Sequence, residues 1–406
     1  MSFQQGLSGL NAASNNLATI GNNVANASTI GFKAARAEFA DMFSQSLAGG
    51  IGSQVGIGVT TAAVRQQFSQ GNIITTANPL DLAINGSGFF RLSASGATTY
   101  TRNGQFSLDA NGYIVNSGGA RLTGYQADPA GQVAASTPTD LRLSLGNLAP
   151  QATTAGNMSL NLDSRADIKG APFSITDPAS YNSSTGMTVY DSQGNAQTLT
   201  FYFRKTAANT WSVYGAANGT ALNGNAPIGT LPFASDGKMA ADVVMNPSVT
   251  LTNGAVSPLT FPITFPADTM TQFGVNFAAS QLTQNGYTTG RIAGFGISED
   301  GVILGRYTNG QTRAQGQVVL ADFVNPQSLA SLGNNQWAET MESGVSLVAS
   351  PGSGSLGSLQ SSALEEANVD LTEELVNMIT AQRIYQANAQ TIRTQDQIMQ
   401  TLVNLR

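Results

Sequence analysis

Two residue types that carry much of protein site chemistry are missing. The 406-residue chain has no cysteine and no histidine. Without cysteine there are no disulfides and no thiolate metal ligands. Without histidine, Ser-His-Asp and Cys-His nucleophile systems, imidazole zinc sites and histidine general bases are excluded together. Charge is scarce as well. Asp, Glu, Lys and Arg make up 10% of the residues, well under the usual share of about a quarter. The balance is acidic, with a net charge of −6. No basic stripe exists to displace phosphate counterions, so no nucleic-acid partner is expected. No apolar run reaches the roughly 18 residues of a membrane span, so no membrane insertion is expected either. The first residues lack the basic start and compact apolar stretch of a cleavable signal peptide.

What is present is glycine, at 44 residues, and a hydrophobic fraction of 41% that suffices for cores. The length leaves room for two or three domains. A chain this dilute in charge and rich in Gly, Ala, Ser, Thr and Asn reads as an exposed bacterial assembly rather than a cytosolic enzyme.

Residues 370–406 hold the strongest pattern. Steps of four and three give Leu371, Leu375, Met378, Gln382, Tyr385, Ala389, Ile392, Asp396, Met399 and Val403, apolar except for Gln382 and Asp396. No Gly or Pro interrupts them, and Asp370 with Glu373 has the spacing of a capping box. This predicts a helix roughly 50 Å long with a coiled-coil-like seam. The beginning of the chain answers it with Phe3, Leu7, Leu10, Ser14, Leu17, Gly21 and Val24 at the same spacing, ending near Asn26. Two seamed helices at opposite ends of a chain are expected to pack together.

Between them the pattern changes. Residues 34–43 (AARAEFADMF) read as a short amphipathic helix with Phe39, Met42 and Phe43 on one side, followed by a Gly-rich stretch. From about residue 71 apolar and polar residues alternate, and Asn85-Gly86, Asn103-Gly104 and Asn111-Gly112 are hairpin signals. Residues 146–157 read as a crossing. A second strand-rich block follows with a turn at Asp191–Gly194, and from 284 the first style returns with Asp300-Gly301 and Asn309-Gly310. The expected fold is mixed and mainly β, a nested multidomain chain. Residues 1–26 and 370–406 form a paired helical stem, and 27–70 with 345–369 a connecting region. Residues 71–145 and 284–344 form an inner antiparallel β domain, and 146–283 an inserted outer β domain.

The stretch NNVANASTIGFK carries Ala25, Asn26, Thr29, Gly31, Phe32 and Lys33 in the spacing of a signature of bacterial flagellar rod and hook proteins. The opening GLSGLNAASNNLATIGNNVAN, the inner GSGFFRL…YTRNGQFSLDANGYIVN and the ending from ALEEANVDL also resemble that family. The length and the inserted outer block resemble its hook branch more than its shorter rod branch. The resemblance implies a subunit of a curved, flexible helical tube that joins rod to filament as a universal joint. It implies export through the flagellar type III apparatus with an uncleaved N-terminus, and a place in the extracellular flagellum. The partner implied first is the chain itself. The others are the distal rod protein, hook cap protein, hook-filament junction protein and hook-length control protein. No catalytic, cofactor or metal residues are implied. The assembly residues expected are the apolar seam positions Phe3, Leu7, Leu10, Leu17, Val24, Leu371, Leu375, Met378, Tyr385, Ile392, Met399 and Val403.

Other motifs have plainer readings. Asp109, Asp191 and Asp300 lie in turns that their side chains cap, and calcium would need more oxygen ligands in register. Glu365, Glu366, Glu373 and Glu374 flank a helix start, which favours capping and dipole roles over paired-carboxylate hydrolysis. Asn26, Thr29 and Gly31 read as a targeting signal, a structural turn, or both. A straight, stiff distal rod protein, a β-rich hydrolase and a surface adhesin are the competing readings. The large outer block speaks against the first, the lack of a standout carboxylate pair against the second, and the seamed termini against the third.

Overall fold

The computed structural model describes residues 2–42, 56, 58–94 and 96–404. Helix α1 spans Ser2–Ala25 and helix α2 spans Leu371–Asn404. The Asp370 carboxylate caps α2, accepting from the amides of Thr372 (2.8 Å) and Glu373 (3.2 Å). Glu373 and Glu374 fall in the first turn of α2, where the helix dipole favours negative charge. The helices pack together and run antiparallel, since Asn23 meets Glu374 at one end while Gly6 faces Ile392 at the other.

Residues 34–43 do not form the expected helix. Ala35–Met42 is a strand, β1, paired antiparallel with β2 (Gly58–Gln66) and bulged between Glu38 and Phe39. Its helix-forming Ala, Arg and Glu are overridden by the ladder, because strand formation depends on partners that local propensity does not see. Phe39 and Met42 are both exposed, and Phe43 lies outside the described residues.

The chain makes two compact units, one of residues 1–145, 294–306 and 312–406, the other of 146–293 and 307–311. In the first, the core gathers Leu82, Ile84, Phe90, Leu92, Leu122, Ile303 and Leu320. A second cluster of Phe89, Tyr100, Phe323 and Trp337 has Phe68 against it, edge-on to Phe89 and Trp337. The stretch 345–369, read as connecting region, carries strands. Leu347–Ala349 pairs with Leu320–Asp322, Ser358–Ser361 with Leu82–Asn85, and Ala363–Glu365 with Ile73–Thr75. Leu359, Ala363 and Leu364 supply the buried side chains that hold it down.

Of the three Asn-Gly signals in this unit, one closes a hairpin. Asn111-Gly112 joins the paired strands Phe106–Leu108 and Ile114–Asn116. Asn85-Gly86 and Asn103-Gly104 end strands whose ladder partners lie elsewhere. Their glycines serve close approach instead. A Cβ at Gly104 would overlap the Leu82 carbonyl, and one at Gly86 would sit 2.9 Å from Gly357 Cα.

The second unit is built on Ser183–Tyr190, Ala196–Ala207 and Thr210–Ala217, paired in sequence. Its core gathers Met158, Leu160, Phe201, Trp211, Phe261 and Phe265. Each unit therefore carries one of the chain's two tryptophans, buried in its core.

Candidate functional site

The 25–33 signature folds as a junction tied down by hydrogen bonds within the chain. Asn26 Nδ2 donates to the Asn22 carbonyl (2.9 Å), and the Thr29 amide donates to the Asn26 carbonyl (2.9 Å). Gly31 has φ +69°, and a Cβ there would stand 2.6 Å from the Asn103 amide nitrogen. Only glycine fits both constraints without strain. Phe32 is buried, and Lys33 is fully buried. Ala25, the last residue of α1, is exposed.

Lys33 Nζ donates to the Ser69 carbonyl and to Glu365 Oε1, each at 2.7 Å. Glu365 Oε1 also accepts from the Gly71 amide (2.9 Å), and Oε2 lies 3.3 Å from Arg102 Nη1. Burial lowers the pKa of both cations, and the Glu365 charge works against that shift. Glu365 is thus not a helix-start residue as its sequence position suggests. It is a fully buried anion shared by two cations. Glu366 instead accepts from Asn72 Nδ2 at 3.0 Å. Beside this site Asn368 Oδ1 accepts from the Ala34 amide (2.7 Å). Asn23, 2% exposed, brackets Ala35 through both its amide and carbonyl. Sequence reading passes over Arg102, Asn368 and Asn23, whose partners are remote or lie off the seam; Glu365 and Lys33 are 332 positions apart.

The contact between α1 and α2 runs along small residues. On α1 the buried or half-buried face is Gly6, Gly9, Ala13, Ile20 and Asn23; on α2 it is Glu374, Met378, Ala381, Asn388 and Ile392. For α1 this line lies one residue before the expected seam, a rotation of about 100°. The β1–β2 ribbon covers another side of α1, with the Val59 amide donating to Ser8 Oγ (3.3 Å) and Asn15 Nδ2 to Thr61 Oγ1 (3.1 Å).

The expected seam residues are therefore largely on the outside. Phe3, Leu7, Leu371, Leu375, Tyr385, Met399 and Val403 are exposed, and Leu10, Leu17, Val24, Met378 and Ile392 are half-buried. Val376, Ile379, Ile384 and Ile398 add to the exposed apolar surface. Phe3 and Leu375 are each 49% exposed. The last turns of α2, from about residue 396, run past the start of α1. Gln382 and Asp396 are exposed too, and Asp396 accepts from Gln400 at 3.0 Å.

The turn aspartates act as caps. Asp109 Oδ1 accepts from the amides of Asn111 and Tyr113, both at 2.8 Å. Asp191 is fully buried and accepts from the amides of Gln193 and Asn195, each at 2.9 Å, and from the side chain of Asn253. Burial opposes its ionisation, but the hydrogen bonds from Asn253, Asn195 and Gln193 prevail and hold its pKa down at about 2. Asp300 Oδ1 accepts from Ser298 and from the Val302 amide. Among the described residues no three carboxylates gather into a metal cluster, and no helix is long and apolar enough to cross a membrane.

Four family models match the chain. They are Flagella basal body rod protein over residues 3–33 and Flagellar hook protein FlgE/F/G D1 domain over 83–162. Flagellar basal body protein FlaE D2 domain covers 161–287, and Flagellar basal body rod FlgEFG protein C-terminal covers 360–405. The flagellar hook protein FlgE of Escherichia coli (strain K12) is 44% identical over 410 residues, covering 100% of both chains. That of Salmonella typhimurium is 44% identical over 412 residues, again covering 100% of both. That of Rhizobium meliloti is 35% identical over 415 residues, covering 100% of this chain and 98% of the relative. The crystal structure of Helicobacter pylori flagellar hook protein FlgE2 aligns with a TM-score of 0.51 at 14% identity. It covers 71% of this chain and 99% of that one, a likeness of fold.

Proposed function

The chain belongs to the flagellar hook protein family, and on that premise we propose that it assembles through its terminal helices into the curved, flexible tube of the hook. Full-length relatives named for the hook favour this role over the distal rod, and the family is a structural one. The observation that carries the assembly reading is the apolar line on the outside of the helix pair. Phe3, Leu7, Leu375, Tyr385, Met399 and Val403 stay exposed in the single chain, and copies of the same stem supply the surface that covers them.

In this reading the tube joins rod to filament as a universal joint. The helical stems hold the register of the polymer. The Gly-rich, weakly charged outer domain, 146–283, slides against its neighbours as each row of subunits lengthens and shortens during rotation. The chain leaves the cell through the flagellar type III apparatus with its N-terminus intact. It meets the distal rod protein at one end and the junction protein at the other, with the cap and length-control proteins acting during growth.

The test pairs the full-length chain with a version lacking residues 1–25 and 370–406, both induced to polymerise and examined by sedimentation and electron microscopy. Curved tubes from the first and monomers from the second are expected. Folded monomers from both would reduce the stem to an intramolecular hairpin.

A further inference from the structure

We infer that Lys33, Arg102 and Glu365 form a lock that lets the two terminal segments seat on the first β unit only together. The three side chains come from three separate parts of the chain. Lys33 closes the signature after α1, Arg102 lies after the strand Ala97–Thr101, and Glu365 ends the strand Ala363–Glu365 ahead of α2. Lys33 and Glu365 have no exposed side-chain surface, and Arg102 has 4%.

The site is not balanced. One carboxylate serves two cations, and Arg102 Nε has no hydrogen-bond partner. Arg102 is otherwise held by the Gly86 carbonyl (2.9 Å) and by the face of Phe89, with its guanidinium carbon 5.3 Å from the ring centre. Remove the C-terminal segment and the two cations lose the carboxylate they share, with Asp322 the remaining negative charge acting on Arg102. A buried charge stripped of its partner is strongly destabilising, far beyond the modest net worth of the pair. Lys33 then cannot stay in place. Its departure takes along the Gly31 amide, which donates to the Glu365 carbonyl at 2.8 Å, and the Ala34 amide, which donates to Asn368. Conversely, without Lys33 the Glu365 carboxylate keeps only Arg102 and the Gly71 amide, and the strap at 363–369 loosens.

The physical consequence is a completeness check. An all-apolar contact would let either segment dock alone, with each adding its own share of stability. The shared anion makes seating cooperative instead. A subunit whose return segment is missing or not yet folded leaves α1 unanchored and does not present the paired stem. The lock acts within one subunit, so its failure would leave the polymer assignment untouched.

The experiment uses the full-length monomer. Hydrogen exchange is followed in peptides covering 26–34 and 363–369, with Trp337 fluorescence reporting the fold of the β unit. Glu365→Gln, nearly isosteric, is expected to speed exchange in both segments by about tenfold or more while Trp337 stays buried. Lys33→Met is expected to expose 363–369 as well as its own segment. Faster exchange in 363–369 alone, with 26–34 still protected, would overturn the lock. Should Glu365→Gln not fold, Lys33→Met decides alone: faster exchange in 363–369 as well as in 26–34 supports the lock, and loss of protection confined to 26–34 overturns it.

Discussion

A Cβ placed on Gly9 would come within 2.9 Å of the Asn388 side-chain amide, so the terminal helices touch through a glycine and not through the leucines beside it. Gly6 stands likewise against Ile392, at 3.1 Å. The close contact consumes the small-residue face of α1 and leaves Phe3 and Leu7 exposed.

Gly9→Leu should force the helices apart at a cost of about 1–3 kcal/mol, the range for overpacking a tight contact. Gly9→Ala should be close to neutral. Asn388 has room to turn its amide, and alanine gains roughly 1 kcal/mol of helix propensity over glycine. Thermal melting followed by far-ultraviolet circular dichroism separates the two variants.

Replacing exposed stem residues should separate folding from assembly. Leu375→Ser and Met399→Ser alter side chains that are 49% and 54% exposed, so monomer stability should move by no more than about 0.5 kcal/mol. Polymer yield should fall sharply, because each copy of the interface loses the same apolar group. Sedimentation of the polymer against melting of the monomer checks this.

Gly31→Ala meets two obstacles at once, a left-handed backbone and a backbone neighbour 2.6 Å away. The strain and the displacement together should cost about 2–4 kcal/mol. The loss should appear as exchange and proteolysis at 26–34 before any change in Trp337 emission.

Acid should weaken the second unit. Asp191 has its pKa lowered from 3.8 to about 2 in the folded chain. The unfolded state therefore binds the proton more readily, and the group's contribution is complete above about pH 4 and lost as pH falls towards 2. Trp211 fluorescence, the reporter of this unit, should show melting that declines over that window. Asp191→Asn should flatten the decline and cost about 1–3 kcal/mol at neutral pH, since Oδ1 keeps the two backbone amides but an NH2 replaces Oδ2, the acceptor of the Asn195 and Asn253 side-chain amides.

Local patterns were legible where their cause is local. The Asp370 cap, the extents of α1 and α2, the Asp191 turn and the Asn111-Gly112 hairpin all depend on residues within a few positions of one another. The reading failed where a distant partner decides. Ala35–Met42 is a strand because β2 pairs with it, and Asn103-Gly104 is a close crossing because the Leu82 carbonyl passes beside it. Glu365 looked like part of an acidic helix start because nothing near it in sequence announces Lys33 or Arg102.

The sequence by itself determined the chemistry that is excluded, the two terminal helices, the strand-rich character of the interior and the family likeness. Each of these rests on composition or on short-range periodicity. Only the tertiary structure decided which face of each helix is used inside the subunit. A heptad shows that an apolar stripe exists, but the face that packs is chosen by how near two backbones can come. The glycines and alanines beside the stripe allow the nearer approach, which leaves Leu7, Leu371, Leu375, Tyr385 and Met399 exposed in the single chain.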